Sequence, residues 1–250
     1  MKKNERGEGE VAWFREWFGE EYLELYPHRD AAEAREAVEL VLTETGVGAG
    51  AVALDIACGA GRHVEVLRER GLAAFGLDLS LPLLLRARES GLPVVQADMR
   101  HLPFRTDSAD LVTSFFTSFG YFADPADDAC VVAEIRRVLG AGGAFCFDFL
   151  NEARVRAELL PRDERELGGK RVVQERRLTL GGRIVEKRIE IASGDDSPPR
   201  VFFERVRLYT PAELETLLAG GGLHLSARYG SYTGAPFSAD SPRLLLLGHA

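Results

Sequence analysis

The segment Val52-Ala-Leu-Asp-Ile-Ala-Cys-Gly-Ala-Gly-Arg-His63 constrains this chain more than any other. It reads as a short buried strand that ends in an acidic residue and runs into a tight Gly-x-Gly turn. A helix then opens at about Arg62. Such a turn lets a ligand sit directly on the backbone, because Gly59 and Gly61 carry no Cβ. Glu65 and Val66 stand near where a third glycine of the dinucleotide fingerprint would fall. That glycine permits close helix–strand packing beside a pyrophosphate. Its absence, with Asp55 just before the turn, favours a nucleoside ligand without a pyrophosphate.

Three more strand ends carry polar groups. Leu72 to Leu77 reads as a second strand, closed by Asp78 in Gly76-Leu-Asp-Leu-Ser80. Asp78 follows Gly61 by 17 residues, close to the spacing of roughly 20 at which a carboxylate holds ribose hydroxyls in nucleotide-binding sheets. Val94 to Asp98 is a third strand, and Asp98-Met99 precede a Leu-Pro turn. A carboxylate there can accept from an exocyclic amine, and Met99 can lie against a flat base. Ala109 to Gly120 holds a fourth, apolar strand with small polar residues at its carboxyl end. Ligands of doubly wound sheets bind outside the carboxyl ends of the strands.

With these residues in view, the chain resembles the class I S-adenosylmethionine-dependent methyltransferases. The resemblance rests on Asp55-Ile-Ala-Cys-Gly-Ala-Gly61, Asp78-Leu79, Asp98-Met99, Asp110-Leu-Val-Thr-Ser-Phe-Phe116 and Arg137-Val-Leu-Gly-Ala-Gly-Gly143. It covers roughly residues 20 to 250, and the order and spacing of the motifs make it specific. It implies S-adenosyl-L-methionine as cofactor. The Gly-x-Gly turn with Asp55, Ala57, Gly59 and Gly61 would approach the methionine part. Asp78 and Leu79 would hold the ribose, and Asp98 and Met99 would cradle adenine. Tyr22, Arg62 and Phe115 complete the expected cofactor set. His63 would touch the cofactor carboxylate or simply complete the turn.

The expected architecture is an α/β, doubly wound, seven-stranded and mostly parallel sheet, its last strand antiparallel. The 250 residues suffice for one such domain without disulfide or metal staples. An N-terminal helical cover is expected over residues 1–45, with one amphipathic helix from Val11 to Tyr26 and a second from Ala31 to Thr45 capped by Asp30. Strand–helix alternation over 51–150 marks the cofactor-binding half. Period-2 runs at 171–180, 183–192 and 200–209, with Gly181-Gly182 as a hairpin turn, mark an inserted antiparallel β subdomain over 171–207. It shapes the acceptor site or a homodimer contact. Residues 210–250 hold the last helix, opened by Thr210-Pro-Ala-Glu213 as a capping box, and two final strands.

Composition narrows the partners. A formal net charge of −8 argues against nucleic acid as the main partner. The basic run through Arg162, Arg165, Lys170, Arg171, Arg176 and Arg177 reads as a solvated face balanced by glutamates. Three cysteines without metal spacing point to a reduced, cytoplasmic protein. Cys58, inside the glycine turn, reads as a small tolerated residue rather than a reactive thiol. No apolar run reaches the ~18 residues needed to span a membrane.

Methyl transfer from a sulfonium is an in-line displacement with an already activated leaving group. The protein must chiefly align donor and acceptor and exclude water. The expected acceptor is the N or O atom of a small molecule. His28, Tyr26 and Tyr121 are placed on the acceptor side, with His28 as base or, alternatively, a capping histidine. Asp148 would orient an amine or serve as an ordinary strand-end carboxylate. No metal site is expected. Two alternatives stand beside this reading: a nicotinamide-dependent oxidoreductase on the same fold, and a non-catalytic cofactor-binding module.

Overall fold

The computed structural model describes residues 13–26, 31–194 and 197–250. Seven strands form the main sheet: β1 (Val52–Ile56), β2 (Ala73–Asp78), β3 (Val94–Gln96), β4 (Ala109–Ser114), β5 (Leu139–Leu150), β10 (His224–Tyr229) and β11 (Arg243–His249). Their order is β10-β11-β5-β4-β1-β2-β3. β1 to β5 pair in parallel, and β11 runs antiparallel to both β5 and β10. The expected sheet is therefore the one that forms. Its order reverses between β1 and β4, which opens a crevice at their carboxyl ends.

The central strands are buried along nearly their whole length, as in β1 (Ala53 to Ile56) and β11 (Leu244 to Gly248). Helices on both faces of the sheet require this. On one face Ile56, Val112 and Phe147 pack with Val131 and Ile135 of α6 (Pro125–Val138) and Leu214 of α8 (Pro211–Gly220). On the other, Ala53, Leu111 and Cys146 pack with Val38 of α3 (Ala31–Thr45) and Leu67 of α4 (Arg62–Glu69). Local chemistry sets the helix starts. Ser80 Oγ accepts from Leu83 N at the head of α5 (Leu81–Glu89). Thr210 and Glu213 form the reciprocal capping box of α8.

A separate antiparallel sheet, order β6-β7-β8-β9, comprises β6 (Arg162–Leu167), β7 (Lys170–Thr179), β8 (Ile184–Ser193) and β9 (Arg200–Arg207). It follows α7 (Glu152–Glu158). The sequence pattern indicates three strands from residue 171; the sheet begins at Arg162. β6 is an edge strand of alternating charges, exposed or half-exposed throughout, so it has no apolar period to betray it. The basic run is matched by carboxylates: Arg171 pairs with Glu164, Arg176 with Asp163 and Arg177 with Glu186.

The single helix expected from Val11 to Tyr26 is two short ones, α1 (Trp13–Trp17) and α2 (Glu20–Leu25). Gly19 breaks it in an extended conformation (φ −135°, ψ −155°). Trp13, Trp17 and Leu25 are buried against Val172, Ile189, Ile191 and Phe202 of the second sheet. Asp30, the expected cap of α3, lies outside the described residues. β3 stops at Gln96 rather than Asp98.

Candidate active site

A cavity of about 210 Å³ lies at the carboxyl ends of β1, β2 and β4, beneath α1 and α2. Its floor is the glycine turn. Ala57, Gly59 and Gly61 all take left-handed φ values, 56°, 56° and 85°. A Cβ on Gly59 would meet only Leu83 Cδ1, at 3.7 Å, so its backbone is open to close approach. Gly61 answers a packing demand instead. Its Cβ would strike Leu92 Cδ1 at 2.5 Å, and the residue does not line the cavity. Gly76 seats the turn on β2, since a Cβ there would lie 2.5 Å from Cys58 Sγ.

Asp78 binds the turn to its own strand end. One carboxylate oxygen accepts from Gly59 N and the other from Ser80 N, both at 2.8 Å. Burial raises its pKa, against the pull of those amides. Each oxygen keeps a lone pair for a further donor. Leu79, Ala97 and Met99 line the same end of the cavity. Asp98 does not. Both of its oxygens are taken by Arg100, at 3.0 and 2.6 Å; burial opposes its ionisation, yet those hydrogen bonds lower its pKa. The wall alternates, so Ala97 and Met99 face the cavity.

Asp55 sits beneath the floor, and His63 beside it is part of the lining. Asp55 is buried and accepts from Thr113 Oγ1 at 2.8 Å. Burial pushes its pKa up to about 7, with Asp78 adding to the rise and Thr113 and Arg62 opposing it. His63 is buried, lines the cavity and stacks on Phe115 at 4.1 Å. Burial, then Arg62 and Arg243, push its pKa well below the ordinary value. Both groups move toward their neutral forms, so the 3.9 Å contact of His63 Nδ1 with Asp55 Oδ2 is not an ion pair. Asp55 Oδ2 and His63 Nε2 lack a hydrogen-bond partner among the described residues. Cys58 is buried, and burial pushes its thiol up, out of reach of thiolate chemistry.

The loop after β4 is strained. Phe116 and Thr117 take φ values of 61° and 56°, a region L-residues rarely enter. Asp148 holds them there. Its Oδ2 accepts from Phe116 N (2.8 Å) and Tyr232 Oη (2.5 Å), its Oδ1 from Arg243 Nε (2.5 Å), and its carbonyl from Thr117 N (3.0 Å). The Phe116 ring lies 4.2 Å from the Arg62 guanidinium and 4.4 Å from that of Arg243. Asp148 is thus an internal clamp, and Tyr232 is part of it.

The far end of the cavity is aromatic: Phe14, Phe18, Tyr22, Tyr26 and Tyr121, with Phe115 and Phe116. Tyr121 packs against Trp13 at 4.8 Å and stacks on Phe18 at 5.9 Å. Ser80 Oγ donates to Phe18 O at 2.5 Å and joins the cover to the end of β2. His28 lies outside the described residues. Of the other residues singled out from sequence, Tyr22, Tyr26, Ala57, Gly59, Arg62, Asp78, Leu79, Met99, Phe115 and Tyr121 meet in this cavity. Asp55, Gly61 and Asp98 support it from behind. Ala97 and Phe116 were not singled out. Each flanks a residue that was: Ala97 stands beside Asp98 and Phe116 beside Phe115.

A family model described as a methyltransferase domain matches residues 54–147. An uncharacterized protein of Methanocaldococcus jannaschii is 32% identical over 115 residues, 46% of this chain and 43% of that protein. The dTDP-3-amino-3,4,6-trideoxy-alpha-D-glucopyranose N,N-dimethyltransferase of Streptomyces venezuelae is 28% identical over 217 residues, 82% of this chain and 87% of that enzyme. The X-ray structure of a sugar N-methyltransferase from Streptoalloteichus superposes with a TM-score of 0.71 at 26% identity, covering 92% and 91% of the two chains. The chain spans less than half the length of the first curated relatives it matches, 43% and 47%. The fold is shared with solved S-adenosylmethionine-dependent methyltransferases, and the segment 54–147 resembles a methyltransferase domain.

S-adenosylmethionine is the cofactor that the resemblance implies, and the residues of the cavity fit it. The orphaned Nε2 of His63, the open backbone at Gly59 and the spare lone pairs of Asp78 are what an amino-acid head and a ribose require. Among the described residues no cluster of His, Cys, Asp or Glu could hold a metal ion, and no helix is long and apolar enough to cross a membrane.

Proposed function

We propose that the protein transfers a methyl group from S-adenosylmethionine to an amine or hydroxyl of a small molecule by in-line displacement. The observation that carries this reading is one cavity with two unlike ends. One end offers carboxylate and open backbone; the other is walled by aromatic rings. Donor and acceptor would meet between them, screened from water. When bound, the cofactor supplies a methyl group on a sulfonium, whose charge activates the leaving group. The chain's part is to hold both partners in line, which can supply about 7–11 kcal/mol of the barrier.

Tyr22 and Leu23 reach in from the cover, Asp78 holds the ribose, and Leu79 and Met99 flank the base. Arg62 and His63 receive the amino-acid head. Tyr26 and Tyr121 face the acceptor. The two sugar N-methyltransferases among the relatives make an amine on a sugar the first acceptor class to test. The free cysteines, two of them buried, support a reducing, cytoplasmic setting.

Calorimetric titration with S-adenosylhomocysteine, with NAD as control, followed by a screen of amino-sugar and phenolic acceptors with deuteromethyl cofactor and mass spectrometry, tests the proposal. Binding of S-adenosylhomocysteine alone and a mass gain on one acceptor class are expected. Binding of NAD alone would return the oxidoreductase reading. Cofactor binding with no labelled product from any acceptor would favour a non-catalytic module.

A further inference from the structure

Tyr121 stands in the aromatic wall of the cavity, on a loop that needs anchors. Phe116 and Thr117 before it are strained, and Gly120 takes a φ of 79°. Arg207, the last residue of β9, holds this loop. Its backbone N donates to Gly120 O at 2.8 Å, and its Nη2 donates to Phe122 O at 3.3 Å and to Ala123 O at 3.0 Å. Those carbonyls bracket Tyr121. The fit is close, since a Cβ on Gly120 would lie 3.1 Å from Arg207 O. The Arg207 side chain is 14% exposed, and its Nε lies 3.6 Å from the fully buried carboxylate of Asp128 in α6. Tyr209 Oη donates to the same carboxylate at 2.6 Å. The Tyr121 ring is held separately by the cover: it stacks on Phe14 at 6.5 Å and Phe18 at 5.9 Å and meets Trp13 edge-on at 4.8 Å. Arg207 itself does not line the cavity.

We propose that Arg207 is a positioning residue for methyl transfer: it sets where Tyr121 stands in the acceptor wall, and so the acceptor's line of approach, without touching substrate. Nη2 carries two protons, one for each of the two successive carbonyls, and Asp128 faces the charge from the main domain. In-line attack tolerates little error, and a misplacement of about 1 Å caused far from the chemistry costs on the order of 100-fold. A loop with left-handed residues at three places keeps its shape only while its surroundings over-determine it. The inserted sheet thereby contributes to the reaction through the end of its last strand, and Asp128, between Arg207 and Tyr209, ties that strand to α6.

This rests on the methyltransferase reading, and the experiment separates the two. Wild type, Arg207→Met, Arg207→Lys, Tyr121→Ala, the double variant Arg207→Met/Tyr121→Ala and Gly120→Ala are compared. S-adenosylhomocysteine affinity, thermal midpoint and the near-ultraviolet circular dichroism of the Trp13–Tyr121 cluster are read without any acceptor. Acceptor kcat and KM are read with 3-amino-3-deoxyglucose as probe, or with the amine or phenol that gains label in the screen above. We expect acceptor kcat/KM to fall about 10–100-fold in Arg207→Met, with a weakened near-ultraviolet signal and cofactor affinity within about threefold of wild type. Arg207→Lys, which keeps the charge and the donors, should recover part of the loss. The double variant should lose little more than Tyr121→Ala alone, because Arg207 acts through that residue. Wild-type acceptor kinetics in Arg207→Met overturns the proposal, as do a cofactor affinity that falls as far as acceptor kcat/KM and fully additive losses in the double variant. Where Arg207→Met fails to fold, Gly120→Ala crowds the same junction from the loop side, and wild-type acceptor kinetics in it overturns the proposal equally. A wild-type protein that binds cofactor and methylates nothing in the screen overturns this proposal and the reading beneath it.

Discussion

Replacing Asp148 by alanine separates a structural clamp from an acceptor-orienting carboxylate. The side chain is fully buried, and Arg243 beside it is 19% exposed. Removing one member of a buried ion pair costs about 3–5 kcal/mol, because the other charge is left uncompensated. Phe116 N and Tyr232 Oη also lose their acceptor, which keeps the expected cost at the upper end of that range. For a chain of this size each kcal/mol moves the melting temperature by roughly 2–4 °C, so a cost of about 4–5 kcal/mol should melt Asp148→Ala about 8–20 °C below wild type. The strain at Phe116 and Thr117, of order 1–3 kcal/mol each, then loses the Phe116 amide's acceptor and keeps the Thr117 amide on the Asp148 carbonyl. Phe115 and Phe116 should loosen, and S-adenosylhomocysteine should bind more weakly.

The partner substitution sharpens the test. Arg243→Met in the Asp148→Ala background removes the stranded cation, and exchanging both ends of a buried pair for apolar groups is often close to neutral. The double variant should therefore recover at least about 2 kcal/mol relative to Asp148→Ala, read from guanidinium unfolding at constant m-value. A loss below about 1 kcal/mol in Asp148→Ala, the size of an exposed pair, would refute the clamp. So would a double variant less stable than the single one.

Three further outcomes are expected. Asp78→Ala should weaken S-adenosylhomocysteine binding by about 1–3 kcal/mol, since a ribose hydroxyl loses its acceptor and Gly59 N is released; calorimetry showing unchanged affinity removes Asp78 from the site. Gly76→Ala should destabilise by about 1–3 kcal/mol through overpacking, because its methyl would lie 2.9 Å from Val64 Cγ2 as well as against Cys58; a wild-type melting curve would contradict the geometry. Asp55 has a folded pKa near 7, above its ordinary value of 3.8, so between those pH values the native state binds more protons than the unfolded one. Stability then falls as pH rises through that window, and Asp55→Asn should be progressively favoured over wild type from pH 4 to pH 7.5; parallel unfolding midpoints for the two proteins would show that Asp55 ionises freely.

The cofactor end of the cavity was legible because it is made of local chemistry. Asp55 to Gly61, Asp78-Leu79 and Met99 each lie at the end of a strand whose apolar run announces it, and the sheet order brings those ends together. The misreadings at that end are small and geometric. Asp98 looked like the base-side group, but Arg100, two residues on, claims it, and the alternation of the wall presents Ala97 and Met99 instead. Gly61 looked like a ligand glycine; its demand is the fit of the turn against Leu92. Asp148 resembled any strand-end carboxylate until Tyr232 and Arg243, 84 and 95 residues away, were seen to converge on it.

The aromatic end was legible only in part: Tyr22, Tyr26 and Tyr121 could be named from the sequence and line the cavity, but what holds them could not. Its walls are held by pairs such as Trp17 with Glu204 and Tyr26 with Lys187, which are 187 and 161 residues apart. No periodicity or cap records a contact of that range. The cover buries Trp17 against the second sheet, while Trp13 joins that cluster and also packs on Tyr121, so the aromatic end takes part of its shape from that sheet. Cofactor affinity and acceptor choice should therefore respond to different parts of the chain. Exchanging residues 162–207 for the corresponding segment of a sugar N-methyltransferase should alter acceptor KM and the acceptor accepted, while S-adenosylhomocysteine affinity stays within about threefold, or about 0.7 kcal/mol. A chimera that keeps its acceptor and loses its cofactor would reverse that division of labour.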